Sequence, residues 1–377
     1  MARVLLKLIV LALPTFLVIL IMCACSAILA FPADSIALSA SSTSVNEPVT
    51  APWDNQVYLP FLRRAWQYED IEAPFSSISR YIRSFDYEML YNAGCEQGNR
   101  DFNQPGVQDS IVFLHFGQPW EIGDSYGVRL NETYIEKTVA EIAEAVIEYA
   151  RGYYMCTSSD YHSRVTIAVG LNNDSDNYTT ANHGVAWGDM IDDINIELLS
   201  NPYYLQVSVA GASDMELGFN SPTTTREWVD GFTSSVLNPS FDPKYRLFNI
   251  ADATGCEPYY GDCGTPEFPE WEQEDVWYIS YGCLSCHPLP MIYTQNWNQA
   301  EQWQHMSRYS FDTHGYKIIF AGVITQYEAC LQREDEYCSG LGNRPDAGYK
   351  QLFTVLNQDP DLAQNLTSLI WSTDIKW

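Results

Sequence analysis

The chain has 377 residues and a formal charge of −28, from 48 acidic residues against 20 Lys and Arg. A polyanion of this size repels nucleic acid, which argues against a nucleic-acid partner. Aromatic residues make up 14% of the chain, a supply that suits stacking on sugar rings as well as filling a core.

Residues 1–30 read as an export segment. Arg3 and Lys7 give a positive start, residues 8–29 are nearly all apolar, and Ser26 to Ala30 offer small residues for cleavage. The run also approaches the length of an uncleaved membrane anchor, and Met22-Cys23-Ala24-Cys25 resembles a lipoprotein box. Membrane attachment is expected, if at all, through this N-terminus, with the rest of the chain secreted or held at the cell surface. Residues 31–107 form a second region. Its first part, rich in Ser, Thr and Pro between 35 and 52, is a linker, followed by a wrapping segment with a helix at 78–91.

From residue 108 short β-rich runs alternate with helical patterns. Strands are expected at 110–116, 164–171, 205–212, 245–251, 275–281, 289–293, 316–324 and 369–374. Helices are expected at 134–151, 187–199, 223–235, 298–311 and 347–356. The helix at 134–151 carries Ile135, Val139, Ile142, Val146 and Ile147 on one stripe. Eight strands in this rhythm predict an α/β fold over 108–377, a (β/α)8 TIM-type barrel with irregular disulfide-bearing loops. A doubly wound open sheet is the alternative.

Ten cysteines are present, two of them (Cys23 and Cys25) in the export segment. The other eight suit disulfides in an exported protein, with Cys256/Cys263 and Cys330/Cys338 near enough to staple single loops.

The alternation of side chains locates the chemistry. At 205–212 Leu205, Val207 and Val209 are large, whereas Ser208, Ala210 and Ala212 are small. Alternate residues point to opposite faces, so the small face lines a crowded barrel interior. Its parity runs on to Asp214 and Glu216, which then project into the mouth where barrel enzymes keep their sites. The same reasoning sends Asn172 and Asp374 to the rim, joined by Asp252 and Gln326 after their strands. Gln118 and Trp120 follow the first strand. Trp120, Trp277, Tyr281 and Tyr293, near strand ends, form a candidate stacking platform or part of the core. Paired carboxylates in different surroundings are the equipment of glycoside hydrolysis. Glu216 is the expected acid, Asp214 its tuning partner, and Asp374 or Asp252 the opposing carboxylate. Asp214 and Glu216 serving only as turn or helix caps is the bland alternative.

The segments IVFLHFGQPW, ASDMELGFNSP, EDVWYISYG and WSTDIKW resemble those of secreted bacterial barrel proteins loosely grouped with glycoside hydrolases. The Asp214-x-Glu216 pair is similar to that of chitinase-like and lysozyme-like barrels, although Gly211, Ala212 and Ser213 replace the spaced acidic run of chitinases. The resemblance covers about 108–377 and implies a barrel, sugar chemistry and a polysaccharide or glycan partner. A non-catalytic glycan-binding surface protein on the same scaffold is the competing reading.

Other motifs point elsewhere with less force. Cys283-Leu284-Ser285-Cys286-His287 matches a c-type haem attachment sequence, but its place in a short loop favours a disulfide. The six histidines have no metal-ligand spacing, and Asn172 to Asn177 lacks the Gly and terminal Glu of a calcium loop. No G-x-S-x-G, P-loop or G-x-G-x-x-G occurs. No cofactor and no metal are therefore expected.

Overall fold

A computed structural model describes residues 71–157, 160–173, 179–236, 246–256, 261–333, 338–365 and 367–377. All belong to one compact unit, Leu59–Trp377. The export segment, the Ser/Thr/Pro-rich linker and most of the acidic loop at 172–177 lie outside the described residues.

The fold is an α/β barrel of eight parallel strands, nearly closed. The strands are β1 (Ser77–Tyr81), β2 (Asp109–Ile122), β5 (Arg164–Leu171), β6 (Val207–Ser213), β7 (Leu247–Asn249), β8 (Cys286–Pro288), β9 (Gly322–Thr325) and β10 (Trp371–Lys376). Pairing runs β8-β7-β6-β5-β2-β1-β10-β9. The remaining seam, between β8 and β9, cannot form a regular ladder because Pro288 and Pro290 have no N–H. Single bonds close it instead. Ala321 N–H donates to the Pro288 carbonyl at 2.9 Å, and Ile324 N–H to the Pro290 carbonyl at 3.0 Å. Met291 then bridges Ile324 in parallel.

Eight α-helices are present among the described residues: α1 (Tyr87–Phe102), α2 (Val139–Cys156), α3 (Ala181–Leu199), α4 (Pro222–Ser235), α5 (Gln273–Trp277), α6 (Asn298–His314), α7 (Tyr327–Arg333) and α8 (Pro345–Gln358). None is long and apolar enough to cross a membrane. Strand β2 runs past the barrel into an antiparallel ribbon with β3 (Ser125–Leu130) and β4 (Glu136–Thr138). A bulge between His115 and Gly117 begins that departure. Gly117 has φ +132°, and a Cβ there would meet the Arg129 carbonyl oxygen at 2.2 Å, so glycine is required.

Several expected elements differ, among them the strand expected at 289–293: β8 precedes it at Cys286–Pro288, and Met291 makes only an isolated bridge. The helix expected at 78–91 is strand β1 and the start of α1, so the barrel begins at Ser77, well before residue 108. The strand expected at 275–281 is helical: Glu272 and Asp275 form a reciprocal cap, and one helical turn with wider bonding, Tyr278–Gly282, continues it. Backbone donors satisfied this way outweigh the β propensity of Val276, Trp277, Tyr278 and Ile279. Finally, α2 starts at Val139 because Thr138 and Glu141 make a capping box, which leaves residues 136–138 to strand β4.

The core has two layers. Inside the barrel Ile111, Phe113, Ala168, Ala210, Ala212, Phe248 and Trp371 pack together. Outside, the opposite strand faces meet the helices through residues such as Val112, Ile167, Val209, Trp187 and Trp228. The eight described cysteines form four disulfides, Cys95–Cys156, Cys256–Cys263, Cys283–Cys286 and Cys330–Cys338. Such bonds fit an extracellular or otherwise oxidising environment. The Cys283 and Cys286 sulfurs are bonded to each other and so are not free to join a haem.

Cys95–Cys156 ties α1 to α2, which cross at unusually close range. A Cβ on Gly152 would lie 2.0 Å from the Tyr91 carbonyl oxygen. Gly152→Ala is therefore expected to lower unfolding stability by about 1–3 kcal/mol through overpacking, measured by urea denaturation with the disulfides intact.

Candidate active site

Strand β6 keeps Ala210 and Ala212 inside the barrel, and the next inward positions are Asp214 and Glu216. Asp214 N–H donates to the Leu171 carbonyl at 3.0 Å, which prolongs the strand register by one step and fixes the direction of its side chain. Asp214 is 6% exposed, and its Oδ1 has no hydrogen-bond partner among the described residues. Glu216 reaches the cavity wall, where the Asn173 amide donates to its Oε2 at 2.5 Å.

Asp252 arrives two positions after Ile250, an interior residue immediately past the neighbouring strand β7. Thr254 holds it by a backbone N–H at 2.9 Å and a hydroxyl at 2.6 Å. Gln299 adds its amide nitrogen at 3.3 Å, while its amide oxygen accepts the N–H groups of Tyr293 at 2.6 Å and Thr294 at 3.0 Å. Gln299 thus links the end of β7 to the segment after β8.

Burial and mutual repulsion set the protonation of this group. Burial first, and the negative charge of Asp252 second, push the Glu216 carboxyl up to about 8, against a smaller pull downward from the Asn173 hydrogen bond. Burial, then Glu216, then Asp252, hold Asp214 well above the usual carboxylate range. The sequence suggested Asp214 as the tuning partner of Glu216; in the structure burial and Asp252 raise Glu216, and Asn173 holds it. Tyr81 and Tyr293 lie beside Asp214, both phenols pushed upward chiefly by burial. His115 faces inward next to Tyr81, with ring centroids 5.1 Å apart. Burial lowers it to about 3, so the imidazole is neutral.

Two cavities open at this end of the barrel. The larger, about 810 Å³, is lined by Asn173, Glu216, Asp252, Thr254, Glu267 and Phe268, among others. The second, about 560 Å³, is lined by Tyr81, Gln118, Asn131, Asn172, Gln326 and Trp377, with Arg333 and Glu132 at its side. Successive residues Asn172 and Asn173 contribute to one cavity each. Asn172 also donates to Asn131 Oδ1 at 3.2 Å, and Asn131 to the His115 carbonyl at 2.7 Å.

The structure therefore places Glu216 and Asp252 in the wall of the larger cavity and Gln118, Asn172 and Gln326 in that of the smaller, with Asp214 and Tyr293 buried near Glu216. Other expected residues lie elsewhere. Asp374 is turned outward, because Trp371 and Ile375 take the interior parity of β10. It caps α7, accepting the Thr325 hydroxyl at 2.6 Å and the N–H groups of Tyr327 at 2.8 Å and Glu328 at 3.0 Å. Trp277 is buried outside the barrel, stacked on His314 at 3.6 Å and donating to Ser310. Tyr281 sits beside His287 and Tyr316, ahead of β8 and so at the opposite end from the carboxylates. Their displacement follows from the helical course of 273–282. Trp120 stays on the ribbon, donating to Glu136 at 2.8 Å beneath the Arg129 guanidinium.

Asn173, Gln299, Tyr81 and Trp377 were not singled out as site residues from the sequence. Trp377 is half-buried: Tyr81 stacks on it at 4.4 Å, and Arg83 and Arg333 lie 5.1 and 5.0 Å from its centre. Among the described residues no group of three or more His, Cys, Asp or Glu side chains is arranged to hold a metal.

Family models, curated proteins and solved structures contain no match to this chain.

Two outcomes follow from the Glu216 environment. Asn173→Ala removes a donor to the carboxylate, so the Glu216 titration should move up by about one pH unit, read by carbon NMR of the labelled side chain. Because the folded-state value near 8 exceeds the ordinary 4.5, ionising Glu216 destabilises the fold as pH rises between them. Glu216→Gln should therefore melt at a higher temperature than the parent above pH 8, an advantage that shrinks as the pH falls towards 4.5.

Proposed function

We propose that this chain is an extracellular glycoside hydrolase in which Glu216 is the general acid. The observation that carries the reading is a carboxyl held protonated up to about pH 8 on the wall of an 810 Å³ cavity, with the carboxylate of Asp252 close enough to raise it. An acid in that state supplies a proton at neutral pH, where an ordinary glutamate has lost it.

The reaction then uses both groups. Glu216 gives its proton to the glycosidic oxygen as the bond from that oxygen to the anomeric carbon breaks. A water oxygen bonds to the anomeric carbon, and Asp252, aimed by Thr254 and Gln299, takes the water proton. Exchange with solvent returns Glu216 to its protonated state and Asp252 to its ionised one. Asn173 keeps the acid from rotating away.

A second reading, a glycan-binding protein without turnover, draws on the smaller cavity, where Gln118, Asn131, Asn172 and Gln326 present side-chain amides. Amides bind hydroxyl groups and supply no acid or base.

Sugar release from bacterial, fungal and plant polysaccharides separates the two. The parent should hydrolyse at least one of them with an alkaline limb near pH 8, and Glu216→Gln should lower kcat/KM by about 10²–10⁴-fold with its fold retained. No release on any substrate, with parent and variant binding glycans equally well, would establish the binding protein instead.

A further inference from the structure

The walls of the larger cavity narrow the substrate, granted the hydrolase reading above. Among the described residues, three carboxyl side chains, Glu216, Asp252 and Glu267, line it, and none of those lining it is Lys or Arg. Glu267 is solvent-exposed, and its backbone is held in the tight turn in which Thr265 and Phe268 exchange backbone hydrogen bonds at 3.1 and 3.2 Å. The disulfide Cys256–Cys263 anchors the approach to that turn. Below Glu216 in the same inward row, Asp214 leaves a deeply buried oxygen with no hydrogen-bond partner among the described residues. A buried acceptor without a partner is costly, and a ligand bearing N–H or O–H donors relieves it.

Electrostatics then sorts the candidate sugars. A glycan carrying carboxylate or sulfate groups would bring negative charge into a cavity walled by carboxylates, inside a chain of net charge −28. An uncharged glycan would gain hydrogen bonds but nothing from the field. A glycan with ammonium groups gains from both, and the field of the whole chain steers it inward. Thr254 and Thr265 offer hydroxyls for its remaining oxygens, and Phe268 offers an apolar surface.

We propose that the substrate is a polycationic glycan of amino sugars with free amines, one ammonium group seated between Asp252 and Glu267.

The test compares β-linked glucosamine oligomers bearing free amines with their fully N-acetylated counterparts, at mildly acidic pH where the amines are charged. For the full-length protein, kcat/KM should favour the free-amine form by at least about tenfold. The preference should fall severalfold between about 0.01 M and 1 M salt as screening shortens the reach of the field. Glu267→Gln, a change at an exposed turn, should cut the free-amine to N-acetyl ratio by about three- to tenfold. Equal cleavage of both forms, with the ratio unmoved by salt or by Glu267→Gln, would overturn the substrate class while leaving the hydrolase reading intact. Should neither form nor any other polysaccharide be cleaved, the hydrolase reading falls. Calorimetric titration with the same oligomers then decides the cation claim: salt-sensitive binding of the free-amine form, weakened in Glu267→Gln, upholds it, and equal affinity for both forms overturns it.

Discussion

The site depends on how volume is shared across the inside of the barrel. Strands β5 and β6 turn Ala168, Gly170, Ala210 and Ala212 inward, whereas β2, β7 and β10 turn in Phe113, Phe248 and Trp371. The fit is tight enough that a Cβ on Gly170 would come within 2.2 Å of the Phe113 ring. Large residues from one side fill the room left by small ones on the other, which leaves a close-packed floor. Asp214 and Glu216 continue the same inward row immediately above it. Their reluctance to ionise is thus a consequence of packing below as much as of the charges beside them.

This arrangement explains which parts of the molecule were legible in sequence. Strand β5 occupies the expected span because Val165, Ile167 and Val169 alternate with Thr166, Ala168 and Gly170 without interruption. The inward row of β6 was readable for the same reason, and it led directly to the two carboxylates. Strand β10 obeys the opposite size rule. It faces small residues across the barrel and therefore turns in its largest side chain, Trp371, which throws Asp374 outward. Parity is local knowledge, whereas the choice of inward face is settled by what stands opposite. Strand β1 was obscured differently: five residues with Ser77 and Ser79 inside carry too little apolar contrast to mark a strand.

The residues that orient the acid group were illegible for a related reason. Asn173 and Gln299 act through single hydrogen bonds across 43 and 47 residues of sequence. An amide that positions a carboxylate carries no periodic signature, and the acidic loop that contains Asn173 reads in sequence as a solvated turn. Cysteine pairing was partly readable. The short loops Cys256–Cys263 and Cys330–Cys338 followed from sequence proximity, whereas Cys95–Cys156 joins two helices whose adjacency only the fold reveals.

Strand β1 lies between β2 and β10, with Ser77 opposite Thr373. A chain delivered from its N-terminus must hold β1 with one edge open until almost 300 further residues have followed. Throughout that interval the row of donors and acceptors along β1 is exposed to any other extended strand nearby. The inner face of β1 carries Ser77, Ser79 and Tyr81, and outward-pointing Arg80 is charged, so the waiting edge is short and poorly suited to sticking. The weak apolar character that hid this strand in the sequence is, during assembly, a safeguard against premature partners.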